Sequence, residues 1–257
     1  MTRLRVQRGG DGEPVLLLLH GLGATGDVWR GLCGVLAARR RGRWVIPDLP
    51  GHGGSTGLAA YSIDGLAAAV AGVVPSTDRV VILGHSLGGA VALALASGRF
   101  GLRVSAVCGL GIKVLWTEEE LARARTLSTR PNPTYATRAE AVDRHLKLAG
   151  LTGLVTPDAV ADAALVQTDG GWTVAFDPAA FTVGAPDMKA LIAAASAPVV
   201  LAAGERDPMS AAPSLRALVP DPVILPGLGH NAHVEDPAAL WPLLERLAAS
   251  ATVGRIA

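Results

Sequence analysis

Gly84-His85-Ser86-Leu87-Gly88-Gly89 sets a serine between two glycines, each two residues away. The segment follows the apolar run Arg79-Val80-Val81-Ile82-Leu83 and opens the Ala/Leu-rich stretch from Leu87 to Ser97. A strand that turns at once into a helix pushes the residue at the corner out at the strand's carboxyl end. Glycines on either side let strand and helix pass closely. A serine hydroxyl is a poor nucleophile until a base takes its proton. The chemistry to look for is therefore acyl transfer, which needs a histidine, a carboxylate behind it and N–H donors for an oxyanion.

Six histidines are available: His20, His52, His85, His145, His230 and His233. His230 lies in Pro226-Gly227-Leu228-Gly229-His230-Asn231, directly after the apolar run Pro222 to Leu225. That position puts an imidazole at the same sheet edge as Ser86. His233, three residues on and near the final helix, is the second candidate. A glycine-rich loop suits a base that must swing between two oxygens, which favours His230. His85 reads as structural and His145 as a solvated residue of a helix. Asp207, in Gly204-Glu205-Arg206-Asp207-Pro208, follows the run Val199 to Ala202 and emerges at that edge too, whereas Glu205 reads as a solvated charge. The other place for an acid, after Val104 to Cys108, reads Gly109-Leu110-Gly111-Ile112-Lys113 and holds no carboxylate. Oxyanion donors are expected from the backbone N–H of Leu87 and of Leu22, the latter in His20-Gly21-Leu22-Gly23.

These residues need a scaffold of alternating strands and helices. Pro14 to Leu19 is unbroken apolar, as a strand buried on both faces should be. Arg43 to Pro47 is the next strand, Ser62 to Val74 a helix capped by Ser62, and Val104 to Cys108 a further strand. From Trp116 to Pro186 the pattern changes to helical segments. Thr117-Glu118-Glu119-Glu120 opens one with a capping box; Thr137 to Leu148 and Pro157 to Gln167 are read as two more. Alternation resumes with Pro198 to Ala202, a helix near 212–218, the strand Pro222 to Leu225 and a helix from Pro237 to Ala249. The expected architecture is an α/β core of residues 1–115 and 187–257, interrupted by a helical insertion over 116–186.

Composition narrows the partners. Half of the 257 residues are hydrophobic and 18% are charged, which excludes a disordered chain and suits one large domain. A net charge of +1 offers no global attraction to nucleic acid or an anionic membrane, and Arg39-Arg40-Arg41-Gly42-Arg43 reads as a solvated turn. Cys33 and Cys108, far apart in apolar surroundings, read as free thiols in a reducing compartment, and no Cys/His spacing suits a metal. The first residues lack the apolar run of a signal peptide, and no stretch reaches the length of a membrane span. The expectation is a cytoplasmic monomer or homodimer that acts on a small molecule without metal or organic cofactor.

His20-Gly21-Leu22-Gly23, Asp48-Leu49-Pro50-Gly51-His52-Gly53-Gly54-Ser55, the Gly84 to Gly89 turn, Gly204-Glu205-Arg206-Asp207, and Gly229-His230 with Glu235-Asp236-Pro237 together resemble the α/β-hydrolase superfamily. The likeness runs from about residue 14 to the end, outside the insertion. It implies an eight-stranded sheet, a cap domain built from the insertion, and Ser86, Asp207 and His230 as a catalytic triad. The Asp48 to Ser55 segment is in that family a structural turn. The branch it looks most like is that of small carboxylesterases, C–C bond hydrolases and lactonases. Epoxide hydrolases and haloalkane dehalogenases carry an aspartate where this chain has Ser86. The charged insertion (Glu118, Glu119, Glu120, Arg123, Arg125) suits a small substrate better than a long-chain lipid.

Hydrolysis of a small carboxylic ester through an acyl-enzyme is thus the expected activity. Cleavage of a C–C bond in a vinylogous diketone, or of a lactone, is the alternative, and a silent ligand-binding receptor or a transferase on the same scaffold stands further off. Trp29, Trp116, Trp172, Phe176 and Phe181 are candidates for an apolar acyl or alcohol pocket. Arg123, Arg125 and Arg206 are candidates for a substrate carboxylate.

Overall fold

The computed structural model describes residues 2–39 and 42–253, so Arg40 and Arg41 of the basic run lie outside the described residues. Nine strands are present among them: β1 (Val6–Gly9), β2 (Val15–Leu19), β3 (Trp44–Pro47), β4 (Arg79–His85), β5 (Arg103–Leu110), β6 (Leu165–Thr168), β7 (Gly171–Val174), β8 (Val199–Gly204) and β9 (Val223–Leu225). Seven form one sheet in the order β1-β3-β2-β4-β5-β8-β9, and β6 and β7 make a separate hairpin. Only β1 runs antiparallel, against β3; every other neighbour in the sheet pairs parallel. The sheet thus has seven strands rather than eight. Its edge strand β1 pairs directly with β3, with no strand between them among the described residues.

The helices are α1 (Arg30–Ala38), α2 (Ile63–Ala71), α3 (Leu87–Leu95), α4 (Glu118–Ser128), α5 (Arg138–Leu148), α6 (Met188–Ala194), α7 (Ala212–Arg216), α8 (Ala232–Glu235) and α9 (Trp241–Val253). They cover both faces of the sheet. Val15, Leu17 and Leu19 of β2 pack with Leu66 and Val70 of α2 and with Val91 and Leu95 of α3. Leu18 points the other way, to Leu32 and Leu36 of α1 and to Leu243 and Leu247 of α9. Alternate side chains of one strand therefore feed two apolar layers, which is why the run from Val15 to Leu19 contains no polar residue. Burial of these side chains stabilises by roughly 1.5–3 kcal/mol each.

The register sets the working edge. Leu19 pairs with Gly84, His85 with Leu110, and Gly204 with Leu225. The carboxyl ends of β2, β4, β5, β8 and β9 thus finish close together, and the segments leaving them carry His20 to Gly23, Ser86, Ile112-Lys113, Asp207 and His230.

Between β5 and β8 the chain holds α4, α5, three short 3₁₀ turns, the β6–β7 hairpin and α6. The expected capping box forms between Thr117 and Glu120, and the structure adds a second, Thr137 with Glu140, at the start of α5. The expected helix from Pro157 to Gln167 is absent. In its place are 3₁₀ turns at Pro157–Ala159 and Asp162–Ala164, followed by β6. The reason is local: Asp169-Gly170 joins β6 to β7 as a two-residue hairpin loop, a strong turn signal that outweighs helical spacing before it.

Candidate active site

Ser86 is the only non-glycine with a left-handed backbone among the described residues, at φ 51° and ψ −117°. Such a conformation costs of order 1–3 kcal/mol and persists only where the surroundings impose it. Here the surroundings are backbone. A Cβ on Gly84 would fall 2.1 Å from the Gly88 carbonyl oxygen, and one on Gly88 would fall 2.4 Å from that of Leu19. Only glycine fits either place, so β4 and α3 meet at the corner that holds Ser86. The turn is pinned by Ser86 N–H to the Leu110 carbonyl at 2.9 Å and by Gly89 N–H to the Ser86 carbonyl at 2.9 Å.

His230 leaves β9 on the glycine loop and donates from Nδ1 to Asp207 Oδ2 at 2.9 Å. Asp207 is fully buried at its side chain, and its other oxygen accepts the Met209 N–H at 2.8 Å. With Nδ1 carrying the proton, Nε2 of His230 is left as an acceptor. The loop is held from three sides. Glu235 accepts the Gly229 N–H at 2.7 Å, Asn231 donates to the Gly150 carbonyl at 2.9 Å, and His85 Nε2 donates to the His230 carbonyl at 3.0 Å.

His85 was expected to be structural, and it is buried, with its ring 4.6 Å from that of His230 and 4.3 Å from that of His233. Burial, then the neighbouring histidines, pushes its basicity well below the ordinary histidine range. His233 is buried against Trp29 with neither ring nitrogen hydrogen-bonded, and burial pushes its pKa down to about 3. His20 shapes the loop after β2: its Nδ1 donates to the Gly21 carbonyl and its Nε2 accepts the Leu49 N–H, both at 2.8 Å. Asp48 holds backbone together, in keeping with the structural turn that the family resemblance implied. Its buried carboxylate ties Gly26 N–H at 2.8 Å and Gly54 N–H at 3.0 Å to Arg5. Glu205, as expected, is exposed; it accepts the Gly227 N–H.

A cavity of about 390 Å³ opens at this edge, and Leu22, Ser86, Leu87, His230, Trp116 and Phe181 all line it. The N–H groups of Leu22 and Leu87 have no hydrogen-bond partner among the described residues, and Leu87 begins α3, so the helix's positive end adds to its donor. Asp207 stands behind His230, outside the lining. Trp29 and Trp172, expected at the pocket, are elsewhere. The 3₁₀ turn Gly26–Trp29 drives Trp29 into the apolar layer beneath the sheet with Leu18, Leu32 and Leu36. Trp172 sits in β7, where its backbone pairs with Tyr135. Phe176 is buried between the rings of His52 and Phe181.

His145, expected on a solvated helix face, is buried on α5, and burial lowers its pKa to about 4. Arg123, Arg125 and Arg206 do not reach the cavity; Lys113 and Lys147 line it instead. No spacing rule picks out those two lysines, because the wall they belong to forms only when α5 and the strand-β5 loop come together. Both cysteines are free, Cys33 half-buried and Cys108 buried, and burial pushes their thiols up, Cys33 to about 11. Among the described residues no group of three His, Cys, Asp or Glu side chains is arranged to hold a metal ion, and no helix is long and apolar enough to cross a membrane.

Comparison with known proteins gives a consistent picture. The family described as "Alpha/beta hydrolase family" matches residues 16–243. A 2-succinyl-6-hydroxy-2,4-cyclohexadiene-1-carboxylate synthase of Klebsiella pneumoniae is 30% identical over 254 residues, covering 95% of this chain and 98% of that one. A pimeloyl-[acyl-carrier protein] methyl ester esterase of Aeromonas hydrophila is 47% identical over 93 residues, 35% of either chain. Among solved structures, an E-2-(acetamidomethylene)succinate hydrolase superposes with a TM-score of 0.79 at 22% identity, over 96% of this chain and 95% of that one, a likeness of fold.

Proposed function

Because this chain belongs to the alpha/beta hydrolase family, we propose that it hydrolyses a small carboxylic ester through an acyl-enzyme on Ser86. In this reading His230 Nε2 takes the Ser86 proton as the hydroxyl oxygen attacks the ester carbonyl. Asp207 holds the imidazole by its Nδ1–H and stabilises the imidazolium that forms. The oxyanion of the tetrahedral intermediate accepts from the N–H groups of Leu22 and Leu87. Collapse breaks the C–O bond, and the imidazolium gives its proton to the departing alkoxide. Water then repeats the sequence, with His230 again taking a proton, to release the acid and restore the serine. The insertion over 116–186 acts as the cap, with Trp116 and Phe181 against the acyl or alcohol portion.

The observation that carries this reading is the Asp207–His230 bond of 2.9 Å at the cavity that also receives the strained Ser86. Intact-mass spectrometry after a fluorophosphonate tests it: one adduct on wild type and none on Ser86→Ala is expected. A folded wild type that takes no adduct, even from a smaller probe such as phenylmethylsulfonyl fluoride, overturns it in favour of a ligand-binding role.

The full-length match to a synthase favours a second reading, in which the same three residues act on a C–C bond, a lactone or another cofactor-free reaction. Turnover of p-nitrophenyl acetate and butyrate, against a small lactone and a vinylogous 1,5-diketone, separates the two.

A further inference from the structure

The cavity wall is apolar except for a few groups, and those groups do not balance in charge. Lys113, Lys147 and Glu120 line it together with His85, His230 and His233. Lys113 leaves β5 on the loop beside Ser86, its side chain only 21% exposed, and is ion-paired with Glu120 of α4. Glu120 is already committed by its second oxygen, which accepts the Thr117 N–H at 2.9 Å in the capping box. One lysine and one carboxylate therefore cancel. Lys147, in the last turn of α5, has no carboxylate partner among the described residues. Burial keeps His85 and His233 uncharged, and Asp207, whose oxygens are taken by His230 and the Met209 N–H, does not line the cavity.

The end of α5 is held near the chemistry. Leu148 packs under Gly23 of the loop that carries Leu22, and Gly150 accepts from Asn231 next to His230. Lys147 is exposed at the rim of the cavity, where an ammonium with no carboxylate partner among the described residues draws anions toward the mouth by long-range attraction. A neutral ester leaves that charge unanswered. We propose that the substrate is an ester bearing a free carboxylate, which Lys147 engages, while the Lys113–Glu120 pair stands neutral in the same wall. This rests on the esterase reading above and narrows its substrate class from small esters to half-esters and their analogues.

The test compares methanol release from monomethyl glutarate with that from methyl butyrate, and extends the series to monomethyl succinate and adipate to find the best spacing. The readout is the ratio of the two kcat/KM values, so general damage to a variant cancels. Wild type is expected to favour the half-ester by about tenfold or more, and Lys147→Met to lose about tenfold of that ratio, chiefly through KM, while Lys147→Arg keeps most of it. A wild-type ratio at or below one, or a ratio untouched in Lys147→Met, overturns the inference. If Ser86 takes the fluorophosphonate and the ratio is flat, only the substrate class fails. If it takes none and no ester turns over, the reaction itself is wrong. Calorimetric binding of monomethyl glutarate to Ser86→Ala then decides the role of Lys147 alone: binding weakened about tenfold by adding Lys147→Met supports it, and equal binding rejects it.

Discussion

Two helices border the proposed active site and could hardly differ more. All of α3 after Leu87 is buried, from Gly88 to Leu95, whereas α4 has no buried residue at all. The sequences show why. Leu87-Gly88-Gly89-Ala90-Val91-Ala92-Leu93-Ala94-Leu95 has nothing to offer water, while Glu118-Glu119-Glu120-Leu121-Ala122-Arg123-Ala124-Arg125 has little to offer a core. α3 is held by close backbone contact with the sheet. Local devices hold α4: a capping box, the Lys113–Glu120 ion pair and packing on the 178–183 turn. A nucleophile must be placed to a fraction of an ångström, and Ser86, the proposed one, stands at the start of the rigid helix. Groups that choose a substrate tolerate an adaptable one, and they stand partly on the other.

Substitutions on either side put that contrast to the test. Ser86→Ala is expected to lower kcat by roughly 10⁴-fold or more while circular dichroism stays native, since only the reacting group is lost. Asp207→Asn should cost roughly 10²- to 10⁴-fold in kcat by releasing the imidazole's tautomer and orientation. A near-normal rate would move the acid elsewhere.

Acid should unfold the protein through its buried histidines. His20, His52, His145 and His233 have folded pKa values of about 4, 3, 4 and 3, below the ordinary value near 6.5. Between those limits the unfolded chain binds more protons, so stability is full above about pH 6.5. It falls with declining pH by roughly 1.4 kcal/mol per unit for each histidine. Chemical denaturation at pH 7 and pH 5 measures this, and equal midpoints would mean that these rings are not buried.

Gly88→Ala should destabilise by about 1–3 kcal/mol or more, because its Cβ meets the carbonyls of Leu19 and His20 at 2.4 and 2.6 Å. Glu119→Ala on the exposed face of α4 should stay within about 0.5 kcal/mol. Similar denaturation midpoints for those two variants would erase the distinction between the helices.

Much of this was legible in the chain. The strand-to-helix corner at Ser86, the alternation of buried runs with helices, and the placement of Asp207 and His230 after β8 and β9 are local patterns. The capping box read at Thr117 to Glu120 marks the start of α4 and is formed. The Asp169-Gly170 turn is equally local, and it overrides the helical spacing of Pro157 to Gln167. The edge strand β1 is different. Val6-Gln7-Arg8-Gly9 has no strong alternation, and it becomes a strand because β3 offers it an open edge.

What the sequence determined by itself was the turn that strains Ser86, the family and the order of the three proposed catalytic residues. Each depends on residues within a few positions of one another, or on the end of a strand being followed by a loop. Tertiary structure alone decided that Trp116 and Phe181 face the cavity while Trp29 and Trp172 do not, that His145 is buried, and that lysines 113 and 147 reach the site in place of three arginines. Spacing says which face of an element a residue occupies. Only packing says what stands opposite that face, and so whether a side chain meets water, core or substrate.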